Sequence, residues 1–288
     1  LGSLENTGVE EQEYSFEVKA GETLTAEDTK SAVIKAQYND GTTDEIPITW
    51  DFSNVDFYNE GTYTITGQAK LTEYPVLNGR ADPNIYKYNG KYYFIATGET
   101  QNQSQMCIRE ADTPLGLFSA ADHEIFPNTR TPNWAPELHE IGGKLYILYA
   151  KGSSWDKVQS QLMELKEGGD PTVRADWEDP EPVTRKDGSA LYDKGITLDM
   201  TYFQVGDTHY LCWAQRQITG GNGTSDLWIA TIDPSNPYQL TSDPVCILRN
   251  QYGWDRVDTT VDEGPFVIQN DGKIYMTFSG AGTGNLYV

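Results

Sequence analysis

Cysteine and histidine are scarce in the 288 residues: Cys107, Cys212 and Cys246, and His123, His139 and His209. They form neither a CxxC pair nor an HExxH run, which argues against a disulfide framework and against a catalytic zinc site. The three cysteines read as small buried hydrophobes. Basic residues are few as well: 21 Lys and Arg stand against 43 Asp and Glu, a formal charge of −22. Such a surface repels phosphate backbones and anionic lipid, so neither nucleic-acid binding nor peripheral membrane attachment is expected. No apolar run approaches a membrane span; LYILYA, from Leu145, is among the longest. GxxxxGK[ST], a Rossmann glycine fingerprint and GxSxG are all missing, which removes the usual signals of nucleotide-dependent chemistry and serine hydrolysis. What is abundant is 18 Tyr, 7 Trp, 27 Gly and 14 Pro. That mixture favours β-structure with many turns and supplies flat side chains suited to sugars.

Two grammars divide the chain. Residues 1–72 alternate in short strand-like stretches, EYSFEVKAG, SAVIKAQYNDG, EIPITWDF and GTYTITGQAK, with NDG and NEG as turns. This segment carries 14 acids and 4 bases and has no His or Cys. Its YNDGTTDEIPITW…GTYTITG pattern resembles the small bacterial Ig-like modules that act as spacers in secreted enzymes. The resemblance implies a β-sandwich spacer or adhesion module, with Trp50 read as core or, alternatively, as a ligand platform. Residues 73–288 follow a longer repeat. Four units share a strand, a two-residue turn and an aromatic-rich strand: DPNIYKY-NG-KYYFIATG, PELHEI-GG-KLYILYAKG, DMTYFQV-GD-THYLCWAQ and EGPFVIQN-DG-KIYMTFSG. A third strand follows in each, as QMCIREAD, SQLMELKE, DLWIATID and NLYV. Antiparallel repeats of this length without helical periodicity predict a β-propeller, so the whole chain is expected to be all-β.

Each unit places an acid shortly before its second strand: Asp82, Glu137, Asp199 and Glu263. In a propeller the first strand of every blade lines the axis, so these positions converge. Crowding carboxylates in one funnel is electrostatically unfavourable, which makes the recurrence informative about function rather than stability. Glu137 lies two residues out of step and reads as a substrate contact or as the partner of a base. Asp262 competes with Glu263, since adjacent strand residues face opposite sides.

At these residues the chain resembles glycoside hydrolase family 43, a group of five-bladed propeller enzymes. RADP at 80–83, WAPELH at 134–139, TLDMTYF at 197–203 and DEGPF at 262–266 carry the likeness. The resemblance implies Asp82 as general base, Glu263 as general acid, and Asp199 as the carboxyl that tunes and orients Glu263. Such a pair suits inverting hydrolysis, which needs one protonated and one ionised carboxyl with room for water between them. Trp134 reads as a sugar platform or as a blade-packing residue. His139 reads as a substrate contact or a core imidazole, and Arg80 as a charge partner of Asp82 or a solvated turn residue. The closest likeness is to arabinofuranosidase-like branches, which implies a secreted or cell-surface bacterial enzyme acting on arabinose-containing plant polysaccharide or oligosaccharide. A β-xylosidase, an endo-arabinanase and a non-catalytic carbohydrate-binding propeller are the alternatives. The chemistry requires no cofactor; a structural Ca²⁺ on the propeller axis is allowed by resemblance alone. The family has five blades and four are visible, so the spacing puts the next inner strand beyond Val288 and predicts that the sequence is a fragment or that a separate segment completes the ring.

Overall fold

Tight dipeptides set the hairpins of the larger unit. Asn89-Gly90, Gly142-Gly143 and Asp271-Gly272 take positive φ at both residues, the signature of type I′ turns whose twist matches the strands they join. Gly206-Asp207 has positive φ only at the glycine. The computed structural model describes residues 6–10, 12–39, 41–69, 77–99, 103–129, 131–219, 223–282 and 285–287. It divides into two units, Leu1–Asn78 and Gly79–Val288.

In the first unit, β1 (Asn6–Glu10), β2 (Val33–Tyr38), β3 (Thr43–Asp51) and β4 (Thr66–Ala69) form one antiparallel sheet in that order. Ala36, Tyr38 and Ile46 make its small core. The expected strand EYSFEVKAG has no regular ladder in the described residues. Instead the Tyr14 hydroxyl accepts from the Val33 N–H at 3.2 Å and lies 2.5 Å from the Val33 carbonyl oxygen. One phenol thus satisfies both backbone groups that a partner strand would otherwise take. Trp50 meets the ring edges of Tyr14 and Phe16, so it packs among aromatics of this unit.

The second unit contains four antiparallel sheets among the described residues. The first is β5 (Arg80–Tyr88), β6 (Lys91–Gly98), β7 (Met106–Ala111) and β8 (His123–Phe126). The next comprises β9 (Asn133–Ile141), β10 (Lys144–Lys151), β11 (Gln159–Glu164) and β12 (Glu181–Pro182). The third has β13 (Gly195–Val205), β14 (Thr208–Gln217), β15 (Ser225–Asp233) and β16 (Asn236–Leu240), with β17 (Val245–Leu248) also on β15. The fourth is β18 (Asp262–Asn270), β19 (Lys273–Gly280) and β20 (Asn285–Tyr287). Inner strands touch in sequence, β5 with β9, β9 with β13 and β13 with β18, which is the arrangement of propeller blades.

Apolar seams hold the blades. Ile95, Met106 and Ile108 of the first pack on Leu138, Ile147 and Tyr149 of the second. Tyr146, Leu148 and Leu162 of the second meet Met200, Leu211 and Trp213 of the third. Inner strands also present backbone groups that no ladder satisfies, and side chains from the preceding blade take them. In β9, Ala135 N–H donates to Thr97 Oγ1 at 2.7 Å, Leu138 N–H to Asn84 Oδ1 at 3.1 Å, and Glu140 N–H to the Tyr86 hydroxyl at 3.1 Å. These bonds fix neighbouring inner strands in register, and with them the side chains that line the funnel.

Candidate active site

One irregularity recurs in every inner strand. Each carries a bulge or register shift, near Ala81–Asn84, opposite Leu148–Ala150, at Leu198–Thr201 and at Glu263–Phe266. At each lies a residue in the left-handed region: Asp82 (φ 51°), Ala135 (φ 44°), Asp199 (φ 51°) and Gly264 (φ 63°). All four stand nine residues before the start of the second strand, Lys91, Lys144, Thr208 and Lys273 respectively. Only glycine adopts this conformation without cost; in other residues it costs about 1–3 kcal/mol and persists where the surroundings impose it. The bulge turns successive side chains toward the axis rather than to opposite faces.

A cavity of about 590 Å³ opens at these bulges. The position before the left-handed residue contributes Ala81, Trp134, Leu198 and Glu263, one from each blade, and the left-handed position contributes Asp82, Asp199 and Gly264. Thr97, Arg216 and Ser279 enter from the second strands, while Trp155 reaches in from the turn after β10. Of the four carboxyls expected to converge, Asp82, Asp199 and Glu263 therefore do so. Glu263 rather than Asp262 faces the cavity; Asp262 is fully buried beside Asp255, and burial followed by that neighbour's charge pushes its carboxyl up to about 6.

The carboxyls sit in different surroundings. Asp82 is open to the cavity but walled by protein, and this desolvation raises its pKa above the ordinary value, reinforced by Glu99 and Glu137. A hydrogen bond from Thr97 Oγ1 to Asp82 Oδ2, at 2.7 Å, acts in the opposite direction. Asp199 is held well above the ordinary range by burial and by the charges of Glu263 and Asp82, although Gly264 N–H donates to its Oδ2 at 2.9 Å. Glu263 is pushed up to about 7, first by burial and then by Asp82, with the Arg216 cation pulling the other way. Crowded carboxyls cannot all ionise together, so protons remain bound near neutral pH.

Three expected residues lie elsewhere than on the cavity wall. Glu137 lies near enough for its charge to favour protonation of both Asp82 and Asp199, and its Oε2 is bound to His139 Nε2 at 2.6 Å. His139 is buried between the rings of Tyr86 and Tyr202 and 3.5 Å from Thr201 Oγ1. Arg80 pairs with Asp122 at 2.9 Å, not with Asp82. The nine-residue spacing assigns Ala135, not Glu137, to the position equivalent to Asp82. Thr97, Arg216 and Ser279 belong to no motif; their signal is register, since they lie opposite Ala81, Ile196 and Glu263, whereas Glu99 and Trp155 lie outside the strands and have no such signal. Among the described residues no group of three His, Cys, Asp or Glu side chains is arranged to hold a metal ion.

Comparison with known proteins follows the same division. Residues 32–72 match the bacterial Ig-like domain (group 4), and residues 120–288 match glycosyl hydrolases family 43. An extracellular exo-α-(1→5)-L-arabinofuranosidase of Streptomyces avermitilis is 34% identical over 215 residues, covering 73% of this chain and 42% of that protein. Its namesake from Streptomyces chartreusis is 30% identical over 221 residues, covering 75% of this chain and 64% of the relative. The chain thus spans less than two thirds of the length of either. The crystal structure of an α-L-arabinofuranosidase from Lactobacillus brevis superposes with a TM-score of 0.63 at 30% identity, over 72% of this chain and 65% of that one. With the match over more than half its length, and with four blades arranged about a carboxyl-lined funnel, the chain belongs to glycosyl hydrolases family 43.

Proposed function

We propose that the protein is an inverting exo-α-L-arabinofuranosidase acting on arabinose-containing plant polysaccharides or oligosaccharides. The observation that carries this reading is the set of three carboxyls in one cavity, held in unlike surroundings. Glu263, its carboxyl pushed up to about 7 by burial and by Asp82, keeps a proton to give to the glycosidic oxygen as the bond to the anomeric carbon breaks. Asp82, with Thr97 donating to it, takes the proton of the water that attacks the opposite face of the sugar. Asp199 holds the Glu263–Gly264 peptide through the Gly264 N–H and opposes ionisation of Glu263. Trp134 offers an apolar wall to the furanose ring. The choice of sugar draws support from the names of the Streptomyces relatives, as does a location outside a bacterial cell. The same reading includes a further sheet that covers the exposed apolar face of the fourth blade.

Hydrolysis of 4-nitrophenyl α-L-arabinofuranoside and of arabino-oligosaccharides tests the proposal. Asp82→Asn and Glu263→Gln are each expected to lower kcat by about 10²–10⁴-fold, the usual contribution of a general acid or base. Near-wild-type turnover in either variant rejects the roles. Proton NMR of the first-formed product should show the β anomer, and an α anomer would rule out inversion.

A further inference from the structure

We propose that Thr97 is a positioning residue for Asp82: its hydroxyl, fixed as a donor by the Ala135 N–H, holds Asp82 Oδ2 in the orientation and ionised form that accept a proton from water. This rests on the reading of Asp82 as the general base. Thr97 is 3% exposed, at the end of β6 and across from Ala81. The Ala135 N–H can only donate, so at 2.7 Å it occupies a lone pair of Oγ1. The single hydroxyl proton is then directed at Asp82 Oδ2, also at 2.7 Å. One hydroxyl therefore ties together the left-handed turns of two blades, at Asp82 and at Ala135.

Two of the other blades show that the fold does not require a hydroxyl there. The equivalent residues, opposite Trp134 and Leu198, are Ala150 and Ala214, while the fourth blade carries Ser279 opposite Glu263. In the third blade Asp199 has no such hydroxyl and instead receives the Gly264 N–H of the next blade directly. Two aspartates at equivalent bulges thus differ by one inserted O–H. The acids whose charges couple to Asp82 are Glu99 after β6, Glu137 on β9, Asp199 on β13 and Glu263 on β18, and all favour its protonation. The Arg216 cation on β14 lines the same cavity and favours ionisation of Glu263, while the Thr97 hydroxyl donates to the ionised form of Asp82.

Thr97→Val keeps the shape and removes the donor; Thr97→Ser restores the donor. In Thr97→Val the acidic limb of the kcat profile should move up by about one pH unit, and kcat should fall about tenfold with KM within about twofold, the scale of one charge-assisted hydrogen bond. Thr97→Ser should stay within about twofold of the wild type. An unmoved acidic limb in the valine variant, or an equal shift in the serine variant, overturns the inference. Thr97→Ala, which copies Ala150 and Ala214, replaces the valine variant if circular dichroism shows that Val does not fold. Carbon-13 titration of the Asp82 carboxyl, assigned through Asp82→Asn, reads the same shift without turnover. An unchanged titration refutes the role of Thr97 even in an active enzyme. A shifted titration with full activity in Asp82→Asn upholds the Thr97–Asp82 link and refutes Asp82 as the base.

Discussion

Asp199 gives an oxygen to the Gly264 N–H while its burial and its acidic neighbours hold its carboxyl well above the ordinary range. Glu263 is raised in the same way, to about 7. For carboxyls whose folded pKa lies above the unfolded value, the folded state binds more protons over the interval between the two. Their favourable contribution is complete below about pH 4 and is lost as pH rises through the raised folded values. Asp199→Asn keeps the acceptor for Gly264 and removes the titration. It should raise Tm at pH 8 by a few degrees, corresponding to roughly 1–3 kcal/mol, and leave Tm nearly unchanged at pH 4. Thermal unfolding at the two pH values checks this, and equal shifts at both would contradict the linkage. At this scale the sequence was partly legible. Asp82, Asp199 and Glu263 stood out because acids have no structural reason to recur on inner strands. Glu137 also recurs, but it stands two residues past the left-handed position and pairs with His139. Thr97 and Arg216 carried no signal of their own, since only strand register brings them to the cavity.

The hairpins show how a local signal becomes a packing constraint. Both residues of Gly142-Gly143 have positive φ, yet their environments differ. A Cβ on Gly142 would lie 2.5 Å from the Pro234 carbonyl oxygen of the third blade, whereas one on Gly143 would meet nothing within 4 Å. Gly143→Ala should therefore cost only the left-handed conformation, about 1–2 kcal/mol. Gly142→Ala should cost more, about 3 kcal/mol or above, because a backbone of the next blade must also move. Denaturant unfolding of the two variants decides it, and equal losses would mean that the turn does not abut Pro234. Of the elements, the paired strands and their turns were readable from alternation and from NG, GG, GD and DG. The outer strands β8, β12, β16 and β17 were not. They span between two and five residues, and two of them, Glu181–Pro182 and Asn236–Leu240, contain proline, so period-two alternation has no length over which to appear.

At the scale of the larger unit, the fourth blade leaves an apolar face uncovered. Phe266 and Ile268 share one face of β18, and Tyr275, paired directly with Ile268, lies on the same face. They are 41%, 45% and 39% exposed, while Ile147, Leu148 and Trp213 of the second and third blades are fully buried against neighbours. A contiguous apolar sheet face of this kind behaves as a contact surface. The net charge of −22 opposes self-association at low ionic strength, and salt screens that repulsion over about 10 Å at 0.1 M. The 288-residue chain should therefore bind a polarity-sensitive dye and associate more strongly as salt is raised. Ile268→Lys together with Phe266→Ser should suppress both effects with little change in circular dichroism. Sedimentation velocity across a salt series is the direct check. A monomer at every salt concentration, with dye binding unaltered by the double substitution, would show that this face is not the surface responsible.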